Sequence, residues 1–244
     1  MSLGALVILG AQATLDPRSD RLASSCVALT ALLLALLGTR IGNAPNRVMT
    51  TLVAALVVAQ QAVLPWQLSM VLALLAVFGI GRAFPSQRVK ARCWSKGQTP
   101  IVWILFVGGV TPFALSAWLF LAHPNLNDLT SSPLLKMPTI WLVCGSVLFS
   151  IINPALEELI WRGVLQTYLR PLWGVPVSIC LQALSFGVQH LHGFPRGPMG
   201  VLLATVWALM LGILRHRAQG VWAPFLAHVV ADATIAILVL KFVL

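Results

Sequence analysis

The chain has 244 residues, of which 59% are hydrophobic and 9% charged, with a formal net charge of +10 and a mean hydropathy of +0.91. Soluble domains carry about 25% charged residues, so the composition excludes an ordinary soluble domain, and continuous Leu/Ala/Val runs exclude the apolar–polar alternation of a membrane β-barrel. The positive charge does not indicate nucleic-acid binding, because the basic residues gather in short segments between apolar runs, where the positive-inside rule accounts for them.

Residues 3–13 are apolar but too short to span a bilayer. They are expected to form an interfacial or re-entrant piece rather than a cleaved signal, although Ala11-Gln12-Ala13 faintly resembles a signal-peptidase site. Apolar runs follow at 23–39, 48–64 and 66–81, the last two separated by Pro65. Each is near the lower length limit for crossing a hydrocarbon core of ~30 Å. The segment 82–99 then holds Arg82, Arg88, Lys90, Arg92 and Lys96 without an acid, which marks it as cytoplasmic. Further spans are expected at 101–122, from 139 to 156 or beyond, at 173–191, at 199–214 and at 221–240.

Charge alternates consistently across these spans. Loop 123–137 falls outside, Arg162 and Arg170 inside, His192 and Arg196 outside, and Arg215 with Arg217 inside. The expected fold class is all-α, a polytopic membrane helical bundle of about eight transmembrane helices. Residues 1–100 are expected to form N-terminal transmembrane helices with the basic loop at 82–99, and residues 101–244 a C-terminal core whose last four helices carry the site. Cys26, Cys93, Cys144 and Cys180 form no CxxC pair and are expected to be small buried hydrophobes rather than zinc or redox ligands.

The only two glutamates, Glu157 and Glu158, are adjacent inside an apolar stretch. A charged side chain at the bilayer centre costs roughly 2.5–3.5 kcal/mol even on the lenient insertion scale, so carboxylates placed there need a use or a partner. On a helix Glu158 and Arg162 share a face, in the favourable order for an ion pair, while Glu157 is rotated by about 100°. One carboxylate can therefore be neutralised within its own helix while the other faces a cavity as a general base. The plainer alternative, that both glutamates pair with Arg162, leaves one carboxylate over.

A second signal is Phe186-Gly187-Val188-Gln189-His190 at the end of an apolar run. A lone histidine in that position is more often interfacial than catalytic, and His192 competes with it. The third is His228-Val229-Val230-Ala231-Asp232 within the last span, where four-residue spacing puts both polar side chains on one face. Asp232 there could orient the imidazole or help to ligate a metal. Water activated by a carboxylate and imidazoles is a hydrolytic arrangement, with or without zinc. No HExxH, GxSxG or serine–lysine motif competes.

The three motifs, EELIWR at 157–162, FGVQH at 186–190 and HVVAD at 228–232, resemble in type and order those of the CPBP family, the CAAX-protease and bacteriocin-processing (Abi) intramembrane proteases. The resemblance covers about residues 140–240. It implies an endopeptidase in which Glu157 and His190 activate water, while His228 and Asp232 stabilise the oxyanion or hold a metal. Glu158, Arg162 and Phe186 are then supporting residues. If zinc is used, Glu157, His190 and His228 are the candidate ligands. Asp232 stands where the family's prenyl-protein proteases carry Asn. An ionised Asp cannot donate to an oxyanion, so Asp232 acts there only if protonated, or else orients His228.

The implied partners are the lipid bilayer and a peptide or protein substrate, lipidated or otherwise membrane-anchored, and the implied location is a bacterial inner membrane. Oligomeric state is not encoded legibly. Two other functions fit the same residues: a non-catalytic scaffold or bacteriocin-immunity protein of the same family, and a proton-coupled transporter using the carboxylates as a relay, although no inverted repeat is visible. The topology sets Glu157 toward the inner end of its span and His190 toward the outer end of the next. For the two to meet, the motif helix is expected to run on to about Leu169 and to tilt.

Overall fold

The computed structural model describes residues 1–84, 94–124, 137–193 and 196–243, and among these the chain is helical with no strand. The helices are α1 (Ser2–Ala13), α2 (Arg21–Ile41), α3 (Ala44–Gln61), α4 (Trp66–Ala83) and α5 (Ile101–Ala122). They continue with α6 (Thr139–Glu158), a π-helical segment (Leu159–Leu165), α7 (Gln166–Gln189), a 3-10 turn (His190–His192), α8 (Gly197–Ala218) and α9 (Trp222–Val243). Arg88, Lys90, Arg92 and Cys93 of the basic segment, most of the loop 123–137, and Pro195 lie outside the described residues.

Six segments are long and apolar enough to cross a membrane by length and composition, and one of them, Thr139–His192, has 54 residues. At 1.5 Å per residue a single helix of that length would overrun a ~30 Å core more than twofold. It is broken at Gly174, whose φ of 76° is open to glycine and disfavoured for other residues. With the break, this segment contains two long helices in succession. The chain is a multi-pass membrane protein.

The third helix begins four residues before the expected 48–64 run. The Asn43 side chain accepts the Asn46 backbone N–H, and Pro45 occupies the first turn, both favourable at a helix start. It ends earlier as well, because Val63 adopts a left-handed φ of 53° ahead of Pro65. Although α3 falls outside the six most apolar segments, it is the hub of the N-terminal half. Val48, Met49, Leu52, Leu56 and Val57 are all fully buried, and α1, α2, α4 and α7 pack around it.

The first helix, too short to span as expected, packs one face against α2, α3 and α7, with Ala5 and Leu9 fully buried and Leu3 and Val7 on the opposite, exposed face. Its end is held by polar side chains: Gln12 Nε2 donates to Ser24 Oγ at 3.1 Å, Gln61 Nε2 donates to Gln12 Oε1 at 3.2 Å, and Gln189 Nε2 donates to Leu9 O at 3.2 Å. In the C-terminal half α6 packs on α9, α9 on α5, and α7 on α8. The apolar core is continuous between the halves, joining Leu9, Met49, Leu52 and Met70 to Trp161, Leu165, Leu169 and Phe186.

One expectation is corrected. Cys26, Cys144 and Cys180 are exposed on the helix surfaces rather than buried; in a bilayer that surface is itself apolar, so a small hydrophobe suits it equally well. Gly187 serves close approach. A Cβ there would lie 2.8 Å from Val201 O and collide with Thr205, so the glycine lets α7 and α8 cross tightly just before His190.

Candidate active site

The motif helix does not stop at Glu158. It continues through the π-helical turns Leu159–Leu165 into α7, past the expected end near Leu169, as far as the break at Gly174. A π-segment carries an extra residue per turn and is found preferentially at functional sites. Here it includes Arg162 and directly follows the glutamate pair. The chain then reverses at Gly174, and the remainder of α7 brings Phe186 and His190 back to the level of Glu157.

Glu157, His190 and Asp232 line one cavity of about 490 Å³, together with Asn153, Trp66 and Phe186. The three polar motif residues thus reach one space from α6, the end of α7 and α9. Glu157 Oε1 accepts the indole N–H of Trp66 at 3.1 Å, and Oε2 lies 3.4 Å from His228 Nε2. Asp232 Oδ1 lies 3.6 Å from the same His228 Nε2, while Asp232 Oδ2 accepts from Asn153 Nδ2 at 3.0 Å. Asn153 is in turn oriented by Gln67, whose Nε2 donates to Asn153 Oδ1 at 3.2 Å.

The other glutamate is occupied differently. Glu158 Oε1 is 2.7 Å from Arg162 Nη1, with both side chains essentially inaccessible, and also 2.7 Å from His228 Nδ1. The same oxygen therefore accepts from a guanidinium one turn away and from an imidazole on α9. Arg162 further donates to Ala208 O at 3.4 Å and sits 4.8 Å over the Phe186 ring. With Nδ1 donating to Glu158, His228 turns Nε2 to the oxygens of Glu157 and Asp232. Those contacts are attractive only if these three groups hold a proton between them, on the ring or on a carboxylate.

His190 Nδ1 is 2.9 Å from the Phe186 carbonyl oxygen. A carbonyl only accepts, so Nδ1 carries the hydrogen and Nε2 is left with the lone pair. Phe186 is buried between these groups, with ring centroids 4.5 Å from His190, 6.0 Å from His228 and 5.4 Å from Trp161. Trp207 meets His228 edge-on at 4.7 Å. These rings hold both imidazoles and keep the inner wall apolar. A second, mostly apolar cavity of about 290 Å³ between α5, α8 and α9 reaches Phe186, His190, His228 and Asp232 from the other side. His192, the competing histidine, lies on the 3-10 turn and lines the mouth of the larger cavity.

Among the described residues, no group of three or more His, Cys, Asp or Glu side chains is arranged to hold a metal ion. Of the zinc candidates Glu157, His190 and His228, His228 has both ring nitrogens directed at carboxylates.

The sequence motifs did not reveal Asn153, Trp66 or Gln67. Asn153 was findable, as a polar residue one turn before Glu157 in an apolar span. Trp66 and Gln67 were not, because their partners are 91 and 86 residues away.

An all-helical, multi-pass membrane bundle with carboxylates and imidazoles gathered at a buried cavity is the class that fold and site define. Residues 139–234 match the family described as type II CAAX prenyl endopeptidase Rce1-like, the kinship that the three motifs resemble. That match supports a CAAX-type intramembrane protease in general. No curated protein and no solved structure matches the chain.

Proposed function

We propose that the protein is an intramembrane endopeptidase that hydrolyses a peptide bond near the membrane face, with Glu157 as general base. The observation carrying this reading is the unequal treatment of the glutamate pair. Glu158 is committed to Arg162 and His228, whereas Glu157 lines a 490 Å³ cavity together with His190. A water in that cavity gives a proton to Glu157 as its oxygen bonds to the scissile carbonyl carbon. The tetrahedral intermediate then collapses, the C–N bond breaks, and the proton passes from Glu157 to the leaving amine nitrogen.

His190 presents the Nε2 lone pair to hold and orient the attacking water. His228, anchored through Nδ1 by Glu158, is the group that faces the developing oxyanion when its Nε2 carries a hydrogen. Asp232 orients His228 and is itself fixed by Asn153, a role that suits a carboxylate where an oxyanion donor would call for an amide. Glu158, Arg162 and Phe186 support these groups. In this reading residues 101–244 are the catalytic core, residues 1–100 its N-terminal helices, and the substrate a lipidated or otherwise membrane-anchored peptide tail. The location is a bacterial inner membrane.

The test begins by comparing membrane proteomes with and without the protein for a tail that stays uncut, and then presents that tail to purified protein in liposomes. Glu157→Gln is expected to slow cleavage by about 10²–10⁴-fold, the usual worth of a general base, with folding retained because an amide oxygen still accepts from Trp66. Undiminished cleavage by Glu157→Gln would overturn the assignment. A scaffold or immunity protein would instead keep its cellular function in a Glu157→Ala strain.

A further inference from the structure

Where the broken α7 meets the end of α8, a third cavity of about 310 Å³ is lined by Arg170, Arg215 and His216, with Thr167, Ser178 and Gln166. Among the described residues no carboxylate lines it, and the guanidinium groups of Arg170, Arg215 and Arg217 all lie close enough to act electrostatically on the His216 ring. This gathering of basic groups is complementary to an anion. Arg215 is pre-set for one. It is buried, and its guanidinium is fixed by Nη2 donating to Thr167 Oγ1 at 2.9 Å and by Nε donating to Arg162 O at 3.2 Å. A guanidinium already held in place loses little freedom when it binds phosphate oxygens.

Trp173 and Val177, on the same kinked stretch of α7, are exposed apolar side chains. The cationic cavity therefore adjoins a surface suited to acyl chains, with a tryptophan at the level where aromatic residues anchor in the interface.

We propose that this cavity binds the headgroup of an anionic phospholipid, the phosphate held by Arg170, Arg215 and His216. It is separate from the carboxylate–imidazole site and does not depend on the protease reading.

The test is native mass spectrometry of the full chain in detergent, titrated with short-chain phosphatidylglycerol, with phosphatidylcholine of the same chain length, and with inorganic phosphate. Arg215 also braces the motif helix, so the variants alter the more accessible groups, in the pair Arg170→Gln/His216→Gln. Arg82→Gln, an exposed basic residue away from the cavity, is the control. Phosphatidylglycerol is expected to bind the native chain in preference to phosphatidylcholine, the double variant about tenfold more weakly, and Arg82→Gln like the native chain. Equal binding of the two lipids, or native affinity in the double variant, would overturn the site. Inorganic phosphate binding as tightly as phosphatidylglycerol would overturn the lipid as the source of the anion.

Discussion

The pair Glu158–Arg162 is open to a quantitative test that does not require a substrate. Arg162→Met removes a fully buried cation that sits 2.7 Å from Glu158 and 4.8 Å over Phe186, at nearly unchanged volume. Breaking a buried pair from one side costs about 3–5 kcal/mol, because it leaves an uncompensated charge. The ring contact adds up to about 2 kcal/mol where the cation is desolvated. His228 Nδ1, at 2.7 Å from the same carboxylate oxygen, offsets part of the loss, which places the expected cost at about 3–4 kcal/mol. For a chain of this size that corresponds to a fall in melting temperature of roughly 10 °C. The double variant Glu158→Gln/Arg162→Met removes both charges and is expected to recover to within about 1–2 kcal/mol of the native protein, a coupling energy of about 2 kcal/mol or more. Thermal or denaturant unfolding in detergent micelles measures these two variants and the single Glu158→Gln that completes the cycle. Additive losses, or an Arg162→Met cost below about 1 kcal/mol, would mean that the pair is not the buried, mutually dependent unit described here.

Other variants probe the neighbouring groups. Trp66→Phe keeps the ring but removes the N–H that holds Glu157 Oε1; kcat for tail cleavage is expected to fall about tenfold with KM nearly unchanged, because the bond positions the base and is not part of substrate binding, and a change confined to KM would contradict this. Asp232→Asn can still accept from Asn153 and is expected to keep activity within about tenfold, whereas Asp232→Leu removes the acceptor of Asn153 Nδ2 and leaves His228 Nε2 to Glu157 alone, and is expected to lose more than about a hundredfold, the ratio being read in the same assay. Gly187→Ala forces a methyl against Val201 O and Thr205 and is expected to destabilise the α7–α8 crossing by about 1–3 kcal/mol, read as a lowered melting temperature.

Much of the fold was legible because membrane insertion is dictated by local composition. Apolar runs, the break at Pro65, and the basic residues between runs placed the helices to within a few residues. The N-cap at Asn43 moved the start of α3, and the break at Gly174 fell at the expected start of the 173–191 span. The π-helical turns at 159–165 carried no signal, because nothing in Leu-Ile-Trp-Arg-Gly-Val-Leu departs from an ordinary helical pattern.

The glutamate pair shows the same division at the site. Four-residue spacing alone set Glu158 against Arg162, and 100° of helix rotation alone turned Glu157 away from it. Both are properties of a single helix, so the sequence by itself determined them, together with the order of the three motifs. What surrounds the pair was decided only by tertiary packing. Glu158 shares its oxygen with His228 from 70 residues away, and Glu157 is held by a tryptophan 91 residues away. Those hydrogen bonds arise because α4 and α9 both cross α6 at the level of the carboxylates, and the meeting of distant helices has no counterpart in the periodicity of any one of them.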